Sequence, residues 1–381
     1  MRFTTSSLFS LKGIYMNKFS SMCCAIILFA ACKSKNDVSK EASATSPRVL
    51  LENMQKLAGK GVLFGHQDDL AYGNGWAYEP GNSDVKRVVG DYPAVYGWDL
   101  GHIELGDSLN LDGVPFRKMR QFATDVYKKG GINTFSWHGT SPYNRKSSWD
   151  TTATIKHILK EPKIMAEYHK DLDKVADFLL SLKDDKGDTF PVIFRPLHEM
   201  TGSWFWWGKK QTTVADYIKF WRLTVDYLKS KGVNNVLYAY STTEFPDQEY
   251  FLERYPGDEY VDIIGMDCYQ MKPNEAIDFT NRLQKMVTIM NQVGRERNKL
   301  VAITEIGNEK IPDPKWWTDV LLPIMKEGNI SYVLLWRNGR PDHYYVPYPG
   351  QISAENFKSF YSNPKTLFQK KLTDEKIYKK Q

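Results

Sequence analysis

Two short apolar runs each carry a glutamate at the C-terminal end, Pro191-Val-Ile-Phe-Arg-Pro-Leu-His-Glu199 and Leu300-Val-Ala-Ile-Thr-Glu305-Ile-Gly307. A carboxylate at the tip of a buried parallel strand faces the mouth of a β/α barrel. Two on one rim could act on a glycosidic bond, one as acid/base and the other as nucleophile. A purely structural role fits such a pair poorly. Burying two acids costs several kcal/mol unless each is paired or hydrogen-bonded.

Other chemistries lack their residues. His198-Glu199 has no second histidine four positions on, so the helical zinc-protease pattern fails. No His-x-His follows the first apolar run, Cys268 has no partner cysteine, and no Gly-x-Ser-x-Gly elbow occurs. Neither a metal nor a cofactor is expected.

The elements that must position the two acids are readable from the apolar pattern. Eight runs, at Val62–Gly65, Ala94–Asp99, Ile132–His138, Val192–Glu199, Val236–Ser241, Val261–Tyr269, Val301–Glu305 and Tyr332–Arg337, read as strands. Helical spacing recurs at 49–57, 116–127, 164–182, 214–228, 276–293 and 316–325. Gly131, Gly232 and Gly328 stand where helices would end. Residues 247–259 are rich in turn formers and read poorly. Eight alternating units predict a single-domain (β/α)8 TIM barrel. No Gly-x-Gly-x-x-Gly follows the first strand, which disfavours an open doubly wound sheet.

On that numbering, polar and aromatic groups gather at the C-terminal ends of the strands: His66-Gln67, Asp99, Trp137-His138, His198-Glu199, Asp267-Cys268-Tyr269, Glu305 and Trp336-Arg337. A barrel enzyme needs this polarity. His66 and Asp99 could equally brace the barrel mouth. At least one Trp of Trp204-Phe-Trp-Trp207 must be structural, and Glu244 and Glu309 read as solvated loop charges. Aromatics make up 14% of the chain, with 11 Trp and 22 Tyr. Such a surplus suits stacking on flat apolar ligands such as sugar faces.

The N-terminus is not part of this fold. Lys18 precedes the apolar stretch 22–31, which ends in Ala30-Ala31-Cys32. This resembles a bacterial lipoprotein signal over 1–31, cleaved before a lipid-bearing Cys32. Residues 32–46 then form a polar tether, 47–372 the catalytic domain, and 373–381 a Lys-rich tail. Such a protein would be exported and anchored to the outer membrane. Losing Arg2, Lys12 and Lys18 lowers the formal charge from +6 to +3, with no concentrated basic face, so nucleic acid is not an expected partner. With Cys23 and Cys24 removed and Cys32 lipidated, Cys268 has nothing to pair with. A monomer is expected.

From Pro47 to Leu372 the chain resembles glycoside hydrolase family 26, the β-mannanases, within a clan of retaining barrel glycosidases. The resemblance rests on Phe64-Gly-His-Gln67, Ser136-Trp-His138, Ser147-Ser-Trp149-Asp, Arg195-Pro-Leu-His-Glu199, Gly202-Ser-Trp204, Gly265-Met-Asp-Cys-Tyr269, Thr304-Glu305 and Leu335-Trp-Arg337. It implies Glu199 as acid/base and Glu305 as nucleophile, with Arg195 and Tyr269 holding Glu305 ionised. It implies His198 near the sugar's 2-hydroxyl, and His138, Trp149, Trp204, Asp267, Trp336 and Arg337 lining the cleft. The implied activity is hydrolysis of internal β-1,4-mannosidic bonds in mannan, glucomannan or galactomannan. Mannobiose release from chain ends, action on β-glucan or β-xylan, and a non-catalytic glycan-binding role stay open.

Overall fold

A computed structural model describes residues 46–326 and 328–380. Eight parallel strands form the frame: β1 (Val62–Gln67), β2 (Val95–Asp99), β3 (Ile132–Trp137), β4 (Val192–Pro196), β5 (Val236–Thr242), β6 (Ile263–Gln270), β7 (Leu300–Asn308) and β8 (Ile330–Leu335). Each pairs with the next in chain order, and β8 pairs with β1, which closes the barrel. The expected (β/α)8 architecture is therefore present.

Alternation along the strands divides the core in two. Leu63, Val95, Ile193, Leu237, Ile263, Ala302 and Leu334 fill the barrel interior. Their neighbours Phe64, Tyr96, Phe194, Tyr238, Ile264, Ile303 and Val333 pack outward against the helices. Nearly every strand residue is buried, as parallel sheets covered by helices require.

The covering helices start where the sequence supplies caps. Ser46 accepts from the Val49 amide ahead of Pro47–Ala58, whose Pro sits in the first turn. Thr213 accepts from the Asp216 amide at the start of Val214–Ser230. After Phe116–Lys128 the left-handed residue is Gly130, not Gly131. Gly232 is left-handed as expected.

Strand ends shift by a few residues from the sequence reading, and two departures matter most. β4 stops at Pro196, three residues short of Glu199, because the ring lacks an amide hydrogen for the ladder. Residues 373–380, set apart above as a Lys-rich tail, carry buried Ile377 and Tyr378 between their lysines. Asn53 donates to the Ile377 and Lys379 carbonyls, and the Tyr378 hydroxyl donates to Gly131 O at 2.7 Å. This segment belongs to the packed floor of the barrel. The proposed signal, Cys32 and almost all of the tether lie outside the described residues.

Candidate active site

Glu199 is delivered by a strained turn. Leu197 and Glu199 have φ of 51° and 53°, the left-handed region that side chains disfavour. Surrounding groups hold the turn in place. The Tyr217 hydroxyl donates to Leu197 O at 2.9 Å, the Trp207 indole donates to His198 O at 2.7 Å, and the Glu199 amide donates to Ser241 O at 2.9 Å. Trp207 is thus structural, as is buried Trp206, whose indole donates to Gly139 O.

Glu305 is delivered by a bulge. Strict alternation in β7 would put Ala302 and Thr304 inside the barrel and Glu305 among the helices. The register slips by one on both flanks, however. Met266 pairs with Ile303 but Asp267 with Glu305, and Val333 pairs with Ile303 but Leu335 with Ile306. The extra residue turns Glu305 to the mouth and returns Ile306 to the outer core. Thr304 anchors the bulge by donating to Asp267 Oδ1 at 2.7 Å.

Around Glu305 the charges interlock. Arg195 donates to Glu305 Oε1 and, at 2.7 Å, to Asp267 Oδ2. The Tyr269 hydroxyl donates to Glu305 Oε2 at 2.6 Å, and Ser241 donates to Asp267 at 2.8 Å. One carboxylate oxygen each from Glu199, Asp267 and Glu305 lie within 4.8 Å of one another. A single guanidinium serves three acids, so one of them should keep its proton. Burial above all, then the charges of Asp267 and Glu305, pushes Glu199 up to about 8. The Trp204 indole opposes this by donating to Glu199 Oε2 at 2.8 Å. Gly202 permits that contact, since a Cβ there would lie 2.6 Å from the indole ring.

A second network flanks the acid. His138 Nδ1 meets Asp99 Oδ2 at 2.7 Å, and its Nε2 meets His198 Nε2 at 3.1 Å. Burial would raise Asp99, but His138, Ser136 and the Gly101 amide outweigh it and hold the carboxyl at about 2. Burial would likewise lower His138, yet Asp99 raises it. Burial and the nearby positive charges of Arg195 and His138 push His198 well below the usual histidine range. His138 therefore donates to both neighbours, and neutral His198 accepts through Nε2. The remaining His198 proton sits on Nδ1, which is buried with no partner among the described residues. Asp99 does brace the mouth, then, but through a residue of the site. His66 binds buried Asp69 at 2.7 Å and does not join this network.

Aromatic faces border the cleft. Trp149 stacks on His138 with ring centres 5.2 Å apart, and Trp336 approaches His138 edge-on at 6.4 Å. Trp149 and Trp204 keep 52% and 43% of their surface exposed, so both can stack against a ligand. Arg337 belongs to a neighbouring cluster, paired with Asp112 at 2.8 Å. Close by, Tyr72 donates to Asp68, which burial and the Asp112 charge push up to about 8. Sequence reasoning missed Asp68, Tyr72 and Asp112, which lie in the connections after β1 and β2 with no periodic signal. Glu244 forms a half-exposed ion pair with Arg282, and Glu309 lies 2.9 Å from His343 Nδ1.

A closed (β/α)8 barrel with paired carboxylates on its C-terminal rim has the architecture of a glycoside hydrolase. Residues 38–343 match the family model described as glycosyl hydrolase family 26, and the chain belongs to that family. It is similar to a mannan endo-1,4-β-mannosidase of Bifidobacterium adolescentis, 32% identical over 87% of this chain and 35% of that protein. The chain thus spans about a third of that relative's length. A Bacillus subtilis mannan endo-1,4-β-mannosidase is 32% identical over 64% of this chain and 71% of its own. Among solved structures, a family 26 β-mannanase of Bacteroides ovatus is 46% identical, with a TM-score of 0.83 over 85% of this chain and 95% of that one.

Proposed function

We propose that the protein is a retaining endo-β-1,4-mannanase with Glu305 as nucleophile and Glu199 as acid/base. The observation that carries this reading is the approach of Glu199 and Glu305 oxygens to within 4.8 Å. Such an approach suits the 5–5.5 Å carboxyl separation typical of retaining enzymes better than the about 6.5–9.5 Å across which an inverting pair holds a water.

In the first step a Glu305 oxygen attacks the anomeric carbon while protonated Glu199 gives its proton to the departing glycosidic oxygen. The chain on the leaving side departs as an alcohol, and the other half stays as a glycosyl ester of Glu305. Glu199, now a carboxylate, removes a proton from water, which attacks the same carbon. Glu305 leaves as carboxylate and Glu199 is protonated again. Arg195 and Tyr269 hold Glu305 in position through both steps. The unpaired Nδ1 of His198 supports a contact with the C2 hydroxyl, whose axial setting marks mannose. Trp149, Trp204 and Trp336 supply stacking faces, with His138, Asp267 and Arg337 completing the polar wall.

We further infer export through the signal over 1–31 and attachment of a lipid at Cys32 on the outer membrane. Support comes from Ala30-Ala31-Cys32 after a short apolar run.

Reducing-sugar release from β-1,4-mannan, mixed-linkage β-glucan and β-xylan tests the substrate. A site built to bond a hydroxyl leaves buried groups unpaired with the wrong sugar. Mannan should therefore lead by at least about a hundredfold in kcat/KM, or ~2.7 kcal/mol. Comparable rates on all three would reject mannan as the substrate and leave the two-glutamate mechanism standing.

A further inference from the structure

Between the loops that follow β6, β7 and β8 lies a pocket of about 310 Å³, the lower end of small-ligand sites and the scale of one sugar unit. Tyr269 and Trp336 form part of its wall, so it opens directly from the cleft beside Glu305. Gln270, Met271, Asn308, Glu309 and Tyr345 complete it, and the mechanism above uses none of them.

The wall is built rather than incidental. Tyr345 lies flat against β7 because residue 307 is glycine, where a Cβ would come within 2.2 Å of the ring. The Tyr345 amide is held by Asn338 Oδ1 at 2.9 Å. Asn308 is 3% exposed, and its amide nitrogen has no partner among the described residues. His343 holds the Glu309 carboxylate at 2.9 Å, with oxygen capacity left to accept a hydroxyl. An aromatic ring, an unpaired amide and a carboxylate around a sugar-sized space are the groups that recognise a hexose.

The topology fixes which part of the substrate reaches it. C2 and the ring oxygen of a pyranose lie on opposite sides of the anomeric carbon. His138 and His198 stand on β3 and β4, and in the proposed reading they face the C2 side. In an eight-stranded barrel β7 and β8 lie across from β3 and β4. The ring-oxygen side, with C6 beyond it, then points past Tyr269 toward the pocket.

We propose that this pocket receives a hexosyl branch carried on C6 of the mannose whose bond is cut, such as the α-1,6-galactosyl unit of galactomannan. The proposal rests on the mannanase reading and adds that the enzyme cleaves at branched residues.

Hydrolysis turns the sugar attacked by Glu305 into the new reducing end. Digestion of galactomannan by the full chain should therefore yield oligosaccharides branched on their reducing-end mannose. Products whose reducing-end mannoses are all bare would overturn the proposal even if linear mannan is cut. Failure to cut linear mannan would overturn the mannanase reading and this proposal with it. Met271, 80% exposed at the rim, offers a second test. Met271→Trp should lower kcat/KM on a defined branched oligosaccharide about tenfold, with the linear one changed by less than about twofold. Equal losses on both, or none on the branched substrate, would count against the pocket.

Discussion

Trp204→Phe keeps an aromatic face over the cleft and deletes one hydrogen bond, the 2.8 Å donation to Glu199 Oε2. That bond favours the ionised carboxylate, so it opposes the burial that lifts Glu199 to about 8. Without it the acid should hold its proton more tightly. A hydrogen bond to a charged group contributes about 1.5–3 kcal/mol when shielded from water. Trp204 is 43% exposed, and water can replace part of what is lost, which leaves about 1 kcal/mol.

One pH unit corresponds to about 1.4 kcal/mol, so the shift should be about 0.7 unit upward. In the proposed mechanism free enzyme needs protonated Glu199. Activity is then present below its pKa and lost as pH rises through it. The assay is kcat/KM on soluble mannooligosaccharides from about pH 5 to pH 10, which reports groups of the free enzyme. The alkaline limb of the variant should lie above that of the wild type, whatever the change in plateau from the smaller ring. A limb that moves down, or stays in place while only the plateau falls, refutes the idea that the indole tunes the acid.

Glu305→Ala should cost several orders of magnitude on every substrate, activated aryl mannosides included, with an unchanged circular dichroism spectrum; surviving aryl mannosidase activity would remove Glu305 from the nucleophile role. Glu199→Ala should slow mannan hydrolysis about 10²–10⁴-fold. The first step on an activated aryl mannoside should suffer less and give a burst, so equal losses without a burst would speak against the acid/base role. Tyr217→Phe unpairs the Leu197 carbonyl and should lower stability by ~1–2 kcal/mol in a denaturant melt. Its kcat should fall more than its KM rises, and a stability loss with unchanged kcat would show that the turn does not need this tether. Cys32→Ala should leave kcat intact and release the protein from sedimenting membranes, and continued sedimentation would place the anchor elsewhere.

The barrel was legible because its strands are runs of β-branched and apolar residues between turn formers, separated by segments with apolar residues at helical spacing. Short elements were not. Asp84–Val89, Thr154–Lys160 and Ala354–Tyr361 span two turns or so, too few for a helical period to stand out. Ile377 and Tyr378 were hidden by the lysines around them, since a composition reading weighs charge over two apolar residues that find a groove. The acids announced themselves by residue type at strand ends. The Asp68, Tyr72, Asp112 and Arg337 group is assembled from separate connections, and its partners are neighbours only in space.

What periodicity could not supply is the backbone on which each glutamate stands. A β7 of strict alternation could place Ala302 in the barrel interior or Glu305 at the mouth, but not both. The bulge at Thr304 satisfies the two demands together, and Asp267 and the Met266 carbonyl accept the threonine hydroxyl that fixes it. On β4 the ladder has to stop at Pro196 so that Leu197 and Glu199 can take left-handed conformations, at a cost on the order of 1–3 kcal/mol each. Tyr217, Trp207 and Ser241, from the following helix, the following loop and β5, offset that strain by binding the turn's backbone. Irregular backbone of this kind persists only where surrounding contacts over-determine it. Its appearance at both acids, and its support by residues that touch neither carboxyl group, argues that the fold is organised around their mutual distance.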